Sequence, residues 1–581
     1  MSKAMEVYRQ WLAEDVFDAE TKEELRAIAE NPKEIEERFY KELEFGTAGL
    51  RGILGAGTNR MNRYTVGKVT QGLCDFLLAN EPEAGVKGIA IAFDPRHRSL
   101  EFAQECALII AANGIKVYLF DDIRPTPELS FTIRHLGCVS GIVITASHNP
   151  SIYNGYKVYG KDGAQMAVVD SDRVVEYTAT LSGYDAIKRI PREEAERSGL
   201  LVAISADIDE KYLEKVHGLS LRLHEIPDAI RDIRIVYTPL HGAGYLMVPQ
   251  VLRENGFENV LVVPEQSVPD PDFSTVVSPN PENRSAFDLA IELAKKEDVD
   301  IIIGTDPDCD RLGVVFRDFS GEYVVLSGNQ IGCLLMEYIL GAGRDTGTAQ
   351  TNDFVVKSIV TTKLADQIAQ HYGVAIYETF TGFKNICEKV KELDEFGDQH
   401  FVYGFEESNG YVAGSFVRDK DAVIASMLTA EMAAWYKSKG QTLADAWKHI
   451  EETYGYTIDE VISYTLEGIE GLTRIAEAMK TLRSERPDAF GSFTVQTLHD
   501  YETQEIYEAG RGVIGSTQMD KSNVLSYTMT DGSRYVIRPS GTEPKIKLYF
   551  CISAPTKPEA QSLLDRFKEE VTGIIEAHLK A

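Results

Sequence analysis

Three carboxylates at alternate positions are the strongest chemical signal in the sequence. Asp306, Asp308 and Asp310 follow an apolar run, 301–304, that is typical of a buried strand. In extended backbone, alternate side chains share one face. Two carboxylates about 4 Å apart repel each other by roughly 4 kcal/mol at an effective dielectric near 20, so a hard divalent cation is a fitting partner. The alternative is a solvated acidic turn; an EF-hand loop is excluded because its glycine and glutamate positions do not match.

A serine lies at the exit of another predicted strand. Ser147 is followed by His148, and a serine at a sharp strand exit is a candidate nucleophile or phosphate carrier. The alternative is a turn or helix-cap serine. Asn154 and Gly155 predict a turn, with Lys157 after it. His148 and Lys157 are candidates for proton transfer or phosphate contact, although a lone lysine is usually a solvated surface charge.

Two further polar loops offer groups that suit a sugar phosphate. Glu406 and Ser408 can hold sugar hydroxyls, although a helix N-terminus would also favour a glutamate. Segment 538–545 combines cations, hydroxyls and a flexible glycine, which suits a phosphate group; an ordinary turn is the alternative. Its candidate residues are Arg538, Ser540, Gly541, Thr542 and Lys545.

Strands must position these loops, and the hydrophobic pattern of the sequence predicts such strands. Strands are predicted at 88–93, 115–120, 141–145, 234–237, 259–263, 299–304, 401–404, 535–537 and 547–550. Helices are predicted at 101–113, 285–296, 422–439 and 558–579. The alternation indicates an α/β fold, with an α+β C-terminal quarter. Polar loops at strand exits along the whole chain favour one ligand cleft shared by several domains.

The expected domains are four, with joints near 213, 322 and 450. They are a phosphoserine-loop domain with an N-terminal helical extension (1–213), a metal-loop domain (214–322), a sugar-loop domain (323–450) and a phosphate-binding domain (451–581).

Composition excludes several classes of function. The 581 residues include 60 basic and 90 acidic ones, a formal net charge of −30, which disfavours binding to nucleic acid or to an anionic membrane surface. Seven cysteines without a CxxC or zinc spacing favour a reducing compartment. The sequence has neither a signal-peptide core nor an apolar run of about 20 residues, so we expect a cytoplasmic protein. P-loop, HExxH and GxSxG motifs are absent.

The motifs together resemble those of the α-D-phosphohexomutases, in the same order and over nearly the whole chain. The matching segments are 45–52, 145–150 (phosphoserine loop), 306–311 (magnesium loop), 406–410 (sugar-binding loop) and 538–545 (phosphate-binding loop). The resemblance implies three related α/β domains with mixed or parallel sheets plus a C-terminal α+β domain, around a central cleft. Paired glutamates before Ser408 are similar to the branch that acts on glucose phosphates. Cys309 departs from the usual alanine, and we expect its side chain to point away from the metal.

The same resemblance implies a role for each candidate residue. Ser147 would carry the phosphoryl group and, with Asp306, Asp308 and Asp310, hold one Mg²⁺. Arg51 and Arg311 would steady the transferring group, and Lys157 would be the base, with His148 second. The residues expected to bind substrate are Arg311, Lys384, Glu406, Ser408, Arg538, Ser540, Gly541, Thr542 and Lys545. The implied reaction converts α-D-glucose 1-phosphate and glucose 6-phosphate reversibly, through glucose 1,6-bisphosphate.

Other readings stay open at this point. Pentose or mannose phosphates are alternative substrates within the same family. A Mg²⁺-dependent sugar-phosphate phosphohydrolase could share the serine and the carboxylates, and a non-catalytic sugar-phosphate sensor could keep the loop near Arg538. The expected partners are small-molecule sugar phosphates, and the expected state is a monomer or weak homo-oligomer.

Overall fold

The computed structural model describes residues 2–46, 49–466, 468–540 and 545–580. The chain forms two compact units. The first unit consists of Met1–Val356 with Gly382–Ala444, and the second of Lys357–Thr381 with Asp445–Ala581.

Residues 2–217 combine a helical N-terminus with an α/β sheet. The helices are α1 (Lys3–Ala13), α2 (Ala19–Ala27), α3 (Pro32–Phe39), α4 (Arg63–Asn80), α5 (Ala84–Lys87), α6 (Ser99–Ala112), α7 (Thr126–Leu136), α8 (Val168–Ala179), α9 (Arg192–Arg197) and α10 (Ala206–His217). The strands are β1 (Gly49–Ile53), β2 (Ile89–Phe93), β3 (Val117–Phe120), β4 (Ser140–Ile144), β5 (Tyr153–Gly160) and β6 (Leu201–Ile204). Side chains of Ser2, Asp18 and Asn31 cap the first three helices.

The first sheet is mixed, with strand order β1-β5-β4-β2-β3-β6. Strands β4, β2, β3 and β6 are parallel to one another. Strand β5 pairs antiparallel with β4, and β1 pairs antiparallel with β5. The turn predicted at Asn154 and Gly155 is wrong, because both residues lie inside β5. A Cβ on Gly155 would lie 2.5 Å from the carbonyl oxygen of Thr145, so this glycine allows close packing of strands.

The second sheet repeats this plan. Its strands are β7 (Arg234–Thr238), β8 (Asn259–Val262), β9 (Ile301–Thr305), β10 (Leu312–Arg317) and β11 (Tyr323–Val325), in the order β11-β10-β9-β7-β8. Its helices are α11 (Pro227–Asp232), α12 (Gly244–Glu254) and α13 (Asp288–Glu297). Strands β8, β7 and β9 are parallel, and β10 and β11 are antiparallel.

The following segment again alternates helices and strands. Its elements are α14 (Gly328–Thr346), β12 (Asp353–Ser358), α15 (Leu364–Tyr372), β13 (Ala375–Thr379), α16 (Phe383–Val390), β14 (His400–Glu406), β15 (Gly410–Ala413), α17 (Ala422–Ser438) and α18 (Leu443–Tyr454). Strands β14 and β15 form an antiparallel pair. A short π-helix, Lys391–Glu395, continues α16.

The C-terminal segment is α+β. Its strands are β16 (Tyr456–Thr465), β17 (Ala489–Phe490), β18 (Phe493–Asp500), β19 (Glu505–Glu508), β20 (Gly512–Ser516), β21 (Leu525–Met529), β22 (Arg534–Pro539) and β23 (Lys545–Ala554). The strands pair antiparallel in the order β16-β23-β22-β21-β18-β19-β20, with β17 beside β18. Helices α19 (Gly468–Glu485) and α20 (Lys557–Lys580) contribute to its apolar core.

The predicted fold class, three α/β domains followed by an α+β domain, is confirmed. The domain limits near 213, 322 and 450 stay predictions. In the described part of the chain, no helix combines the length and apolar character that crossing a membrane requires.

Candidate active site

Ser147 lies where the sequence placed it, directly beyond β4. Its backbone has φ = +52°, a left-handed conformation uncommon for a residue with a Cβ. The Thr145 hydroxyl accepts a hydrogen bond from Ser147 N at 2.8 Å and fixes this turn. Ser147 Oγ donates to Asp306 Oδ2 at 2.8 Å and lies 3.1 Å from His148 Nδ1. The structure therefore joins the predicted serine to the predicted carboxylates.

A buried arginine, Arg96, anchors this loop, and no sequence motif indicates its role. The Arg96 guanidinium donates to the carbonyl oxygens of Ser147, Asn149, Pro150 and Tyr153. Its side chain is fully buried and pairs with Asp94 (Nε to Oδ2, 3.2 Å). Because one planar group holds four carbonyls, the loop backbone is fixed around Ser147.

The three carboxylates converge, but through a turn rather than an extended strand. Strand β9 ends at Thr305, Cys309 has φ = +53°, and Cys309 N donates to Asp306 O at 2.9 Å. One carboxylate oxygen from each of Asp306, Asp308 and Asp310 lies within 4.8 Å of the others. The expected cluster is thus present, and the geometric reason given for it was wrong.

Burial and neighbouring charges shift the pKa values of the clustered carboxylates in opposite directions. Burial and the charges of the other two carboxylates raise the pKa of Asp306 well above its usual range. Burial also acts to raise the pKa of Asp308, but the charge and hydrogen bond of Lys157 outweigh it and lower that pKa. Lys157 Nζ lies 2.9 Å from Asp308 Oδ2.

Two buried carboxylate oxygens of the cluster suit a bound cation. Asp308 Oδ1 and Asp310 Oδ1 are buried and have no hydrogen-bond partner among the described residues. Buried carboxylate oxygens are costly unless paired or bound to a metal. A set of hard oxygen ligands with orphaned oxygens fits Mg²⁺.

Lys420 is a residue of this site that sequence reasoning missed. Its Nζ lies 2.9 Å from Asp310 Oδ2, and its side chain packs against the sugar loop, where a Cβ on Gly410 would be 2.5 Å from Lys420 Cδ. Burial acts to lower its pKa, but the charge of Asp310 outweighs burial and raises it. Its only sequence signal is a charged stretch, Arg418 to Asp421, just before an apolar helix.

His148 is neutral in this setting. Burial, followed by the positive charge of Arg311, lowers its pKa to about 3. Its Nδ1 atom therefore stands beside Ser147 Oγ as an uncharged group.

The Cys309 side chain packs against the start of α12. Its Sγ lies where a Cβ on Gly244 would approach within 2.9 Å, at the start of α12. Burial raises the pKa of this thiol well above its usual range, so it is a protonated, packed side chain rather than a reactive one.

The sugar loop joins the magnesium loop directly. Arg311 forms an antiparallel bridge with Gly410, and Asn409 Nδ2 donates to Leu312 O at 2.8 Å. Glu406 ends β14 and is buried, and Ser408 follows it in the turn before β15. Both candidates are therefore held on the hairpin that joins the Asp306–Asp310 loop.

Arg51 and Lys384 belong to the same unit as Ser147. Arg51 lies on β1 opposite Gly155, and its Nη1 donates to Asn149 Oδ1 at 3.2 Å, next to the serine loop. Lys384 lies in the first turn of α16, and burial lowers the pKa of its ammonium.

The predicted phosphate loop lies in the second unit. Arg538 is near the end of β22, Lys545 begins β23, and Ser540 N donates to Lys545 O at 2.7 Å. The structure thus places these three residues at one end of a hairpin. Gly541 and Thr542 lie outside the described residues.

The arrangement of the first unit suits phosphoryl transfer: a serine hydroxyl faces a carboxylate cluster that fits Mg²⁺, and lysines flank it. Comparison with known proteins agrees. Four domain families match: phosphoglucomutase/phosphomannomutase α/β/α domain I (residues 42–184), domain II (210–321), domain III (327–454) and the C-terminal domain (497–570).

Relatives match over most of their length. The phosphoglucomutase of Staphylococcus epidermidis is 39% identical over 549 residues, covering 94% of this chain and 96% of that protein. The phosphoglucomutase of Staphylococcus aureus is 39% identical over 531 residues, covering 90% and 93%. The crystal structure of parafusin (phosphoglucomutase) from Paramecium, in its open form, has a TM-score of 0.69 at 17% identity, covering 92% and 96%.

The chain therefore belongs to the phosphoglucomutase/phosphomannomutase family, as its motifs predicted. It is an enzyme of the phosphomutase class.

Proposed function

We propose that this enzyme interconverts α-D-glucose 1-phosphate and glucose 6-phosphate. Phosphorylated Ser147 gives its phosphoryl group to the free hydroxyl of the bound sugar phosphate, glucose 1,6-bisphosphate forms and reorients, and Ser147 is rephosphorylated from the other end. The observation that carries the proposal is the 2.8 Å contact between Ser147 Oγ and Asp306 inside the carboxylate cluster. The relatives named phosphoglucomutase support the choice of glucose.

The chain's residues divide the work of this reaction. Asp306, Asp308, Asp310 and Ser147 would hold one Mg²⁺, which neutralises charge on the transferring group. Arg51, which contacts the loop of Ser147, and Arg311 would steady that group.

Proton transfer and sugar binding fall to the surrounding side chains. Lys157 is the proposed base, and in its deprotonated form it would accept the hydroxyl proton; neutral His148 is the second choice. Glu406 and Ser408 would hold sugar hydroxyls, and Lys420, between Asp310 and the sugar loop, would assist them.

The non-reacting phosphate is assigned to the loop of the second unit, and Lys384 is proposed as a further phosphate-binding residue. Its proposed contacts are Arg538, Ser540, Gly541, Thr542 and Lys545, a group whose chemistry suits a dianion. The protein is proposed to act as a monomer or weak homo-oligomer.

One assay separates the competing functions. Purified enzyme with Mg²⁺ and a trace of glucose 1,6-bisphosphate is given glucose 1-phosphate, and isomer and inorganic phosphate are measured together. Isomer without phosphate supports the proposal, phosphate release indicates a phosphohydrolase, and neither product indicates a sensor. Mannose 1-phosphate, glucosamine 1-phosphate and pentose 1-phosphate run in parallel test the choice of sugar.

The covalent step has its own test. Intact-mass and peptide mapping should place one phosphate on Ser147, and Ser147→Ala should lose that phosphate and nearly all turnover. Phosphate on another residue, or a fully active alanine variant, contradicts the mechanism.

A further inference from the structure

Residues 267–283 connect the second sheet to α13 and lie against the serine loop. Ser278 Oγ donates to His148 O at 3.4 Å, and His97 Nε2 lies 2.7 Å from Asp272 Oδ1. These contacts join the connection to His148 and His97, the residues that directly follow Ser147 and Arg96 in the chain. The connection therefore has direct access to the residues that shape the nucleophile's loop.

Phe273 is the buried centre of this contact. Its side chain is only 2% exposed, and its ring centroid lies 4.9 Å from the Arg96 guanidinium carbon. Its backbone has φ = +51°, a genuine outlier for a bulky residue. Such strained conformations persist only where surrounding contacts fix them, and they cluster at functional sites.

The strain at Phe273 is held by a local turn. Asp270 accepts hydrogen bonds from the amides of Asp272 (3.0 Å) and Ser274 (2.9 Å), and Asp270 O accepts from Phe273 N at 3.2 Å. The turn presents the aromatic ring to the Arg96 guanidinium, whose buried charge also pairs with the Asp94 carboxylate.

We propose that Phe273 is a positioning residue for phosphoryl transfer, acting through Arg96. The ring fixes the plane of the guanidinium, the guanidinium fixes four carbonyls of the serine loop, and the loop directs Ser147 Oγ at Asp306. A residue in the domain of the second sheet thus helps to orient Ser147, which lies in the domain of the first sheet. This inference rests on the proposed function only in that Ser147 carries the phosphoryl group.

The test compares three variants of the full chain. Phe273→Leu removes the ring face and keeps an apolar side chain, and Phe273→Tyr keeps the ring face. Phe257→Leu is the matched control, since Phe257 is also 2% exposed and lies in the same domain. If the leucine variant does not fold, Phe273→Met replaces it.

Two measurements decide the outcome. A cation–π contact contributes about 2- to 30-fold, so Phe273→Leu should lower kcat by that factor with KM for the sugar phosphate unchanged. Amide hydrogen exchange of residues 146–153 should become faster in Phe273→Leu. Phe273→Tyr and Phe257→Leu should behave like the unchanged protein in both measurements.

The proposal fails if Phe273→Leu and Phe257→Leu have equal effects, or if KM rises while kcat is kept. It also fails if Phe273→Leu costs as much in an Arg96→Lys background as it does alone, because residues acting through one another are non-additive. Exchange needs no substrate, so it tests the contact even if glucose phosphates prove not to be substrates.

Discussion

Replacing Lys420 by methionine tests whether this lysine competes with the metal for Asp310. At 2.9 Å and an effective dielectric near 20, the attraction between the two charges is about 6 kcal/mol before desolvation is counted. Removing one partner of a buried pair typically costs about 3–5 kcal/mol. We expect the lower end, about 3 kcal/mol, because Lys157 Nζ remains 4.0 Å from Asp310 Oδ2.

Lys420→Met should also change the affinity of the protein for Mg²⁺. A lysine that pairs with Asp310 repels a cation at the same carboxylate, so Lys420→Met should bind Mg²⁺ more tightly while turning over more slowly. Mg²⁺ should also restore most of the lost stability, because the ion replaces the missing positive charge.

Two measurements on the same preparations check it. Denaturant unfolding is recorded with chelator and with saturating Mg²⁺, and Mg²⁺ binding is measured by titration calorimetry. Lys437→Met is the control: Lys437 lies in the last turn of α17 and pairs with Asp300 at 2.8 Å, away from the cluster. Weaker Mg²⁺ binding in Lys420→Met, or stability losses in both variants that Mg²⁺ does not reverse, would refute the reasoning.

Three further predictions follow from single contacts. Asp308→Asn should bind Mg²⁺ weakly and lose turnover, since one ligand charge is gone; turnover that persists in excess chelator contradicts it. Arg538→Ala should lower kcat/KM for glucose 1-phosphate and glucose 6-phosphate alike, by about 10- to 150-fold, and kinetics in both directions would expose a defect confined to one isomer. Glu378 lies near Lys363 and Arg534 in the second unit. Burial acts to raise the pKa of Glu378, but the charges of Lys357, Arg534 and Lys363 outweigh burial and lower it. The contribution of ionised Glu378 to stability is therefore present above pH 4.5 and is lost as the pH falls. Glu378→Gln should therefore unfold more easily at pH 7 with a flatter dependence on acid, and equal acid dependence in both proteins would contradict this.

Local patterns were enough to predict nine of the strands, including β4 and β9, and the polar loops that follow these two. A buried strand appears in the sequence as an apolar run, and a ligand-binding loop appears as polar residues directly after it. This pattern predicts β9 with its three carboxylates and β4 with Ser147. Predicted helix ends, such as 422–439 against Ala422–Ser438, agree to within a few residues.

The errors share a physical cause, which is that tertiary neighbours decide what a short signal means. The turn predicted at Gly155 is wrong because a glycine permits both turns and close strand contact, and only the neighbouring Thr145 carbonyl distinguishes the two. The roles of Arg96 and Lys420 could not be predicted because the contacts that give them these roles, with the carbonyls of the serine loop and with Asp310, join residues 51 or more positions apart in the chain. No spacing within the sequence encodes a contact of that length.

The position of β1 at the edge of the first sheet has a consequence for synthesis of the chain. β1 pairs with β5, so Arg51 reaches Asn149 across 98 residues of sequence. During translation β1 has no partner until residue 160 has left the ribosome, and the domain cannot close before then. A nascent chain interrupted earlier exposes an unpaired strand, the kind of edge that associates with other chains. Arg51 therefore cannot reach its place beside Asn149 before the serine loop itself has been synthesised.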